Sequence, residues 1–514
     1  MSAAPPPDSR PNKKRRVAEK KKAGEAFIAA KKAAADEALA VDGQALVQFV
    51  DPEGSLAGPE LDLPLGTSKE QLTTLLNKLL EQEEELPYSF HLEDEEIVKS
   101  VADTFGKVKL STERVLKIVY YPLAVFRVRP VTRCTSSLNG HTEAVLCVAF
   151  SPDAKCLASG SGDSTVRLWD LNTELPKHTC QGHKGWILTV AWSPDSSILA
   201  SAGMDKIVML WDGASGKLKG ALKGHSQAVT AACWQPLHCA PAGSMPQLAT
   251  ASKDASVRLW DTSGMTCIRA LTSHTQPVMQ VRWSGERAEL GGAVYSGGRD
   301  CVIKVWSPHD GVMLTELKGH GHWINTLALN TDYVTKAGPY SHEDQKFKDL
   351  EEKRAAAKVR YNEAVTLCGG ERLLSGSDDF TLFLWRPLHS KTPVCRMTGH
   401  QKVVNQVAFS PDGRWFASAS FDKSVRLWDG RTGRYVHAFR GHVGEVYQLA
   451  WSADSRMIIS ASKDSTVKCW NVTTRKLQED LPGHADEVYA TDWSLNGARV
   501  ATGGKDRILK IWRH

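Results

Sequence analysis

Short segments that alternate between apolar and polar residues recur from about residue 134 to the end of the chain. Segments such as VLCVAF, CLASGS and TVRLWD have the period of two that indicates β-strands. Each group of segments spans about 40 residues, enough for one small antiparallel sheet. Because one such sheet cannot bury both of its faces alone, the pattern predicts a repeat architecture of stacked sheets.

One polar signature marks every unit. A Ser or Thr is followed by Asp four residues later and by Trp after six more, in eight copies, and a His precedes each set. Two of these sets are His141, Ser159, Asp163 and Trp169, and His400, Ser418, Asp422 and Trp428. These side chains can satisfy one another's hydrogen bonds when buried. We therefore interpret them as structural tetrads, because eight separate catalytic triads would give one chain the same active site eight times.

The signature resembles that of the WD-repeat family, and the resemblance implies an eight-bladed β-propeller over residues 123–514. The last unit ends at Trp512 without an outer strand. We predict that the strand 124–134 closes the ring, with 125–132 paired to 508–512. In the fifth unit the His-to-Asp distance is 59 residues instead of the usual 22. This predicts a helical insertion at about 331–370, with a charged surface helix from Glu343 to Val365 that is either a partner contact or a simple excursion.

Residues 43–122 are predicted to form a second, smaller domain. Strand patterns at 45–51, around 61–63, at 87–92 and at 115–122 surround a leucine-faced helix that Ser68 opens. The order of strand, strand, helix, strand, strand indicates a β-grasp, ubiquitin-like domain. The fold class is therefore mainly β, a propeller preceded by a β-grasp domain.

Charge distinguishes the first 42 residues, which we predict to be a basic, disordered tail. Residues 1–40 carry ten Lys and Arg against five Asp and Glu, so most of the net charge of +6 lies here. The cluster Lys13, Lys14, Arg15 and Arg16 predicts a nuclear import signal, with a solvated charge run as the alternative. Eleven scattered Cys without a C-x-x-C pair indicate a reducing compartment, with neither disulfides nor a zinc site. The sequence contains no run of 18 apolar residues, so no membrane-spanning helix is predicted.

No motif for nucleotide binding, hydrolysis or phosphoryl transfer is present, so the chain is predicted to be a platform and not an enzyme. Residues just before each turn Asp, and residues shortly after each His, are expected at one mouth of the propeller. The basic and aromatic members are Lys253, Arg299, Phe421, Lys463, Lys505, Trp186, Trp323, Lys402, Tyr447 and Tyr489. Such a surface suits rRNA or a protein partner. In the alternative interpretation, turn positions are simply polar and the aromatic rings pack between blades.

A narrower resemblance covers residues 43–514. The stretches LPYSFHL, STERVLKIVYYPLAVFRVRPVTRC and DLPGHADEVYATDWS resemble a family of WD-repeat proteins that assemble the large ribosomal subunit. The resemblance implies a non-enzymatic factor that docks on the pre-60S particle through its propeller, in the nucleus and nucleolus. It further implies that the ubiquitin-like (NLE) domain is gripped by the metal-ion-dependent adhesion site, or MIDAS, of midasin, an AAA ATPase that remodels the particle.

The same resemblance assigns the residue that would bind the metal ion of this adhesion site. It falls on Glu113, in the motif Ser111-Thr112-Glu113 before the last strand of the domain. The protein would hold no cofactor of its own, and Glu113 would share the Mg²⁺ of the partner's adhesion site. We expect a monomer without a membrane partner. The alternative function is a generic WD-repeat scaffold, such as the substrate adaptor of a ubiquitin ligase.

Overall fold

The computed structural model describes residues 44–514 apart from 52–53, 55, 81–86, 93–94, 98–99, 103, 105–114, 123–127 and 343–344. The chain divides into two compact units, residues 1–125 and 126–514. The tail, including Lys13 to Arg16, and the motif Ser111 to Glu113 lie outside the described residues. Within the described part, no helix is long and apolar enough to cross a lipid bilayer.

The described residues of the first unit include a five-stranded mixed sheet and the helix Lys69–Leu79. Its elements are β1 (Gln44–Val50), β2 (Leu56–Pro64), α1 (Lys69–Leu79), β3 (Tyr88–Leu92), β4 (Glu95–Glu96) and β5 (Leu116–Pro122). The strand order is β2-β1-β5-β3-β4, with β1 and β5 parallel. Ser68 begins the helix through a capping box with Gln71, as its position in the sequence predicts. Leu72 and Leu76 of α1 pack into the same core as Phe49 and Phe90. This is the predicted β-grasp arrangement.

The second unit contains eight four-stranded antiparallel sheets. Blade 1 is β7 (Val145–Phe150), β8 (Cys156–Ser161), β9 (Thr165–Asp170) and β10 (Leu175–Gln181); blade 2 is β11 (Ile187–Trp192), β12 (Ile198–Gly203), β13 (Val208–Asp212) and β14 (Leu218–Leu222); blade 3 is β15 (Val229–Trp234), β16 (Leu248–Ser252), β17 (Ser256–Asp261) and β18 (Thr266–Thr272); blade 4 is β19 (Val278–Ser284), β20 (Ala293–Gly298), β21 (Val302–Trp306) and β22 (Met313–Lys318).

The other four blades repeat this plan. Blade 5 is β23 (Ile324–Leu329), β24 (Leu373–Ser377), β25 (Leu382–Trp385) and β26 (Cys395–Met397); blade 6 is β27 (Val404–Phe409), β28 (Trp415–Ser420), β29 (Ser424–Asp429) and β30 (Tyr435–Arg440); blade 7 is β31 (Val446–Trp451), β32 (Met457–Ser462), β33 (Val467–Asn471) and β34 (Lys476–Leu481); blade 8 is β35 (Val488–Trp493), β36 (Arg499–Gly504), β37 (Leu509–Arg513) and β6 (Arg133–Leu138). The innermost strands contact one another in series, and β35 contacts β7, so the blades form a closed ring.

The closing strand is β6, and the prediction that 124–134 supplies it is wrong in its residues and register. Ser136 and Leu138 of β6 stand opposite Ile511 and Leu509 of β37, whereas the predicted pairing used 125–132. Val131 is instead fully buried in the core between blades 7 and 8, and the Val128 N–H donates to Asp454 Oδ2 at 2.8 Å. The outer strands of the blades are mostly solvent-exposed, so the outer strand of blade 8 does not need apolar residues. The polar stretch RCTSSL therefore pairs here, although it lacks the apolar alternation that marked 124–134.

The insertion of blade 5 crosses the ring. Besides the short helix α2 (Asp332–Ala337) it contains α3 (Leu350–Cys368), which begins after the predicted Glu343. The Asp332 carboxylate pairs with Arg282 of blade 4 at 3.2 Å, and the Tyr333 hydroxyl lies 3.5 Å from the Leu495 carbonyl of blade 8. Lys353 donates to the Asp195 carbonyl of blade 2 at 3.1 Å, and Cys368 lies against Asp412 of blade 6. Because blades 4 and 8, and blades 2 and 6, stand opposite each other, the insertion spans the channel mouth.

Candidate interaction face of the propeller

The eight polar sets form closely similar hydrogen-bonded tetrads. The distance from His Nδ1 to Asp Oδ2 is 2.6–3.0 Å, and that from His Nε2 to the Ser or Thr hydroxyl is 2.7–2.8 Å. The same hydroxyl accepts the indole N–H at 2.8–2.9 Å. An Asp acceptor at Nδ1 leaves Nε2 of a neutral imidazole to accept from the hydroxyl. The chain of donors and acceptors is therefore complete in every blade.

Each tetrad Asp also shapes a tight turn. In blade 6, Asp422 accepts from His400 and from the Gln401 N–H with one oxygen, and from the N–H and hydroxyl of Ser424 with the other. The residue that follows each of the eight Asp has a left-handed φ of 63–70°, although none of these residues is glycine. Four donors on one carboxylate offset the strain of that conformation. The tetrads are structural.

Burial and hydrogen bonding set the protonation of the tetrads. Burial lowers the pKa of His400 despite the neighbouring Asp422 carboxylate, so the imidazole is neutral. Burial alone raises the pKa of Asp254, but hydrogen bonds from Ser256, the Ser226 N–H and His225 outweigh it and bring the pKa to about 2. Burial likewise lowers the pKa of His141 and His225, and a neutral His beside an ionised Asp agrees with the hydrogen-bond pattern of these tetrads.

The residues before the eight turn Asp lie at one structural position. The main-chain N–H of each donates to a carbonyl at the start of its blade's innermost strand, as Met204 does to Trp186 and Lys505 to Glu487. They therefore share one face of the ring, here called the tetrad face, and the insertion lies on the opposite face. The predicted residues Lys253, Arg299, Phe421, Lys463, Lys505, Trp186, Trp323, Tyr447 and Tyr489 all lie on the tetrad face.

Within this face the predicted residues fall into arcs of different chemistry. On blades 6 to 8, the ring of Tyr447 stands edge-on to Phe421 at 5.9 Å and tilted against Tyr489 at 5.4 Å. Lys463 pairs with Glu445 at 3.0 Å, and Lys505 pairs with Asp486 at 3.4 Å. Carboxylates thus neutralise the two lysines, and the Tyr447 hydroxyl also donates to Glu487 at 2.9 Å. The exposed Lys402, Lys423 and Arg507 lie at the same turns, so this aromatic arc carries charges of both signs.

Blades 2 to 4 carry apolar and cationic side chains at the equivalent turns. Trp186 and Met204 are exposed, and the Arg299 guanidinium lies 4.2 Å from the centre of the Trp323 ring. The sequence analysis missed Lys184 and Lys206, which are both exposed here. Their place on this face could have been inferred from the sequence, because these lysines directly follow the tetrad residues His183 and Asp205. The missed carboxylates Glu445, Asp486 and Glu487 likewise lie within three residues of a tetrad His.

The described residues show no metal centre. They contain no group of three or more His, Cys, Asp or Glu side chains arranged to hold a metal ion, and all eleven cysteines are free thiols.

Eight tetrad-bearing blades and a separate β-grasp unit define a WD-repeat β-propeller protein with an N-terminal domain. The family profile described as "WD domain, G-beta repeat" matches 132–170, 174–212, 216–261, 265–307, 391–429, 433–471 and 475–513, and the "NLE (NUC135) domain" profile matches 45–105. The repeat profile passes over the blade that carries the insertion. With these matches and the relatives below, the chain belongs to the Notchless family of WD-repeat proteins.

Relatives align over most of their length. The chain is 52% identical to "Notchless protein homolog" of Arabidopsis thaliana over 76% of this chain and 81% of that protein. It is 48% identical to "Protein Notchless" of Drosophila melanogaster over 71% and 74%. It is 42% identical to "Ribosome assembly protein 4" of Saccharomyces cerevisiae over 75% and 78%. The crystal structure of the computationally designed Ika8 protein matches with a TM-score of 0.56 and 24% identity, over 74% of this chain and 98% of that one, which shows the fold alone.

Proposed function

We propose that this protein is a non-enzymatic assembly factor of the large (60S) ribosomal subunit that docks on the pre-60S particle through its propeller. The observation that carries the proposal is the 42% identity to a yeast protein named ribosome assembly protein 4, over 78% of that protein. The chemistry of the tetrad face supports it. An aromatic arc of mixed charge on blades 6 to 8 and an apolar and basic arc on blades 2 to 4 suit a particle built from both proteins and RNA.

The second part of the proposal concerns the ubiquitin-like domain. It is presented to the MIDAS of midasin, with Glu113 as the carboxylate that completes the coordination of the partner's Mg²⁺. Magnesium prefers hard oxygen ligands in octahedral geometry, and a carboxylate from another protein can fill one open position. Asp at this position would be one methylene shorter and would fall short of the ion. Glu113, with Ser111 and Thr112, lies outside the described residues.

The architecture of the domain supports a pulling role. The strand β5 begins at Leu116, three residues after Glu113, and lies in the middle of the sheet between β1 and β3. Ile118 on this strand is fully buried in the core of the domain. A force applied just before β5 is therefore shared by hydrogen bonds on both sides of the strand. ATP-driven pulling by midasin would then remodel the particle and release assembly factors.

The test is a binding assay of the full chain with the purified midasin adhesion domain. We expect Mg²⁺-dependent binding by the wild type and none by Glu113→Ala or Glu113→Asp, whereas Glu60→Ala, an exposed carboxylate on β2 of the same domain, should bind normally. EDTA should abolish wild-type binding. Equal binding by wild type and Glu113→Ala, or binding that ignores EDTA, would refute the role of Glu113.

Docking on the particle is tested separately by sedimentation. A 60S assembly factor travels with large-subunit precursors in a sucrose gradient of nuclear extract, whereas a ubiquitin-ligase adaptor does not. We expect nuclear and nucleolar localisation, with Lys13 to Arg16 as the import signal. Sedimentation only at the top of the gradient would favour the adaptor.

A further inference from the structure

Trp186 is the only exposed tryptophan among the described residues, with 56% of its surface accessible. It lies on the tetrad face of blade 2, where its carbonyl accepts the Met204 N–H at 2.8 Å. A Cβ at Gly203 would lie 1.9 Å from that carbonyl, so glycine permits the close approach of the two segments. Met204 is itself 46% exposed beside it. Large apolar side chains exposed together on a rigid turn indicate a contact surface.

The indole extends toward blade 1. A Cβ built on Gly162, the equivalent rim residue of blade 1, would lie 3.6 Å from Trp186 Nε1. Glycine therefore leaves the junction of blades 1 and 2 open around the indole. The indole is exposed at this junction with Glu143 of blade 1 nearby, since the Glu143 Cβ lies 3.4 Å from the same built Cβ.

The lysines around Trp186 are unpaired, and Glu143 of blade 1 is an exposed carboxylate at the same junction. Lys184 and Lys206 are exposed and Lys253 of blade 3 is half-buried. None of the three forms an ion pair with a carboxylate in the described part of the chain, unlike Lys463 and Lys505. Asp205, which directly precedes Lys206, is held by His183 at 2.6 Å and by the Lys184 N–H at 3.2 Å, and its side chain is only 5% exposed.

We propose that Trp186, Met204, Lys184, Lys206 and Lys253 form a binding platform for single-stranded RNA, here called the Trp186 platform. An unpaired base stacks on the indole, and the lysines contact the flanking phosphates. Base-paired RNA is a poor ligand because its bases are already stacked and its edges lie in the grooves. The inference rests on the proposed function, since the pre-60S particle is where such RNA would be met. It specifies single-stranded RNA as the ligand of one arc of the tetrad face.

The first test measures binding of the full chain to a 5′-fluorescein-labelled dodecamer of uridine by fluorescence anisotropy. Trp186→Ala should weaken binding by roughly 5- to 150-fold, the range for loss of one base–aromatic stack. Trp186→Phe should retain most of the affinity. The matched control is Tyr435→Ala, which removes an aromatic ring that is 53% exposed on the outer strand of blade 6. Affinity of Trp186→Ala equal to that of the control would overturn the proposal.

Salt dependence tests the lysines. The slope of log K against log salt changes by about 0.7 for each phosphate contact with a single strand. Lys184→Gln, Lys206→Gln and Lys253→Gln should each reduce the slope by about that amount, whereas Lys463→Gln should leave it unchanged. Unchanged slopes for the first three variants would overturn the proposal.

Cross-linking separates the platform from the basic tail, which also attracts phosphates. With 5-iodouridine in the strand, ultraviolet light should link the RNA to a peptide containing Trp186. Cross-links confined to residues 1–42 would overturn the proposal, and so would tighter binding of a duplex of equal length.

Gradient sedimentation distinguishes failure of RNA binding by the Trp186 platform from failure of the proposed docking on the pre-60S particle. In one outcome, the Trp186→Ala variant no longer co-sediments with the particle and yet binds the dodecamer as tightly as the wild type. In that case the platform contacts a protein, so this inference fails while the proposed function stands. If the wild-type chain binds the dodecamer through Trp186 but never travels with the particle, the proposed function fails.

Discussion

At the scale of single residues, the tetrads convert a repeated sequence signature into the turns that shape the propeller. Asp422 accepts from His400, the Gln401 N–H and Ser424, so its removal leaves several buried or half-buried donors without an acceptor. Asp310 carries the same charge but is exposed and bonds only its neighbour His309. Replacing each of these two Asp in turn therefore distinguishes the loss of the tetrad's hydrogen bonds from the loss of one negative charge.

We predict that Asp422→Ala lowers the free energy of unfolding by about 1–3 kcal/mol, the cost of unsatisfied buried donors. Asp310→Ala should change it by less than about 0.5 kcal/mol. Denaturant titration followed by circular dichroism measures both. A fully stable Asp422→Ala protein would show that the tetrad does not stabilise its blade.

Glu371 is a buried carboxylate that joins blades 4 and 5 to the insertion. Burial raises its pKa to about 7, although it accepts hydrogen bonds from Ser284 at 2.5 Å, Thr331 at 2.7 Å and Tyr361 at 3.1 Å. A raised pKa means that the folded state binds more protons than the unfolded state between about pH 4.5 and 7. This group's contribution to stability is therefore present at low pH and is lost as pH rises through about 7.

We predict that Glu371→Gln removes that pH dependence. Between pH 5 and 8 the wild type should lose stability relative to the variant, by on the order of 3 kcal/mol. The tetrad histidines His141, His225 and His400, whose pKa values burial lowers, act in the opposite direction in both proteins and cancel in the difference. Thermal melts of both proteins across this pH range test it, and parallel curves would contradict it.

At the scale of elements, ring closure depends on a strand from far away in the chain. β6 pairs with β37 and gives blade 8 its fourth strand. Without β6, the edge of β37 and the apolar residues under it would be exposed, and exposed strand edges promote aggregation. Val131 adds a buried apolar contact just before β6.

We predict that a truncated chain, 140–514, melts at lower temperature than 128–514 and aggregates. The longer chain keeps β6 and Val131 and serves as the control. Differential scanning calorimetry and light scattering of the two chains are the measurements. A monomeric 140–514 with the melting curve of 128–514 would show that closure by β6 is dispensable.

At the scale of the whole chain, the propeller has two unlike faces. The insertion crosses one channel mouth and contacts blades 2, 4, 6 and 8, which leaves the tetrad face for partners. The N-terminal end of the sequence adds a concentration of positive charge, with ten Lys and Arg in the first 40 residues.

We predict that deletion of 1–24 shifts a fluorescent fusion from the nucleus toward the cytoplasm, because it removes both basic clusters. Replacing only Lys13, Lys14, Arg15 and Arg16 by Ala should do the same if this cluster is the signal. Live-cell imaging gives the nuclear-to-cytoplasmic ratio. An unchanged ratio would show that import depends on a partner instead.

The sequence by itself determined the repeat, the number of blades, the tetrads and the β-grasp domain. Each rests on local rules, because strand alternation, capping and turn chemistry act over a few residues and then recur. Ser68, for example, caps α1 as its neighbours predict, and every tetrad Asp forms the expected bonds.

Only the tertiary structure decided which strand closes the ring, where the insertion lies and how the face is charged. RCTSSL is polar because it is an outer strand, so its pairing has no apolar signal, and the register is fixed by the distant β37. The insertion buries Arg354 and Tyr361 against other blades, although its composition is that of a surface helix. Lys463 and Lys505 appear basic in the sequence until the fold places Glu445 and Asp486 beside them. The closing strand and the insertion depend on contacts between residues that are far apart in the chain, and such contacts exist only once the blades have assembled into a ring. The pairs of Lys463 and Lys505 form when neighbouring strands of one blade come together, which the linear sequence does not display.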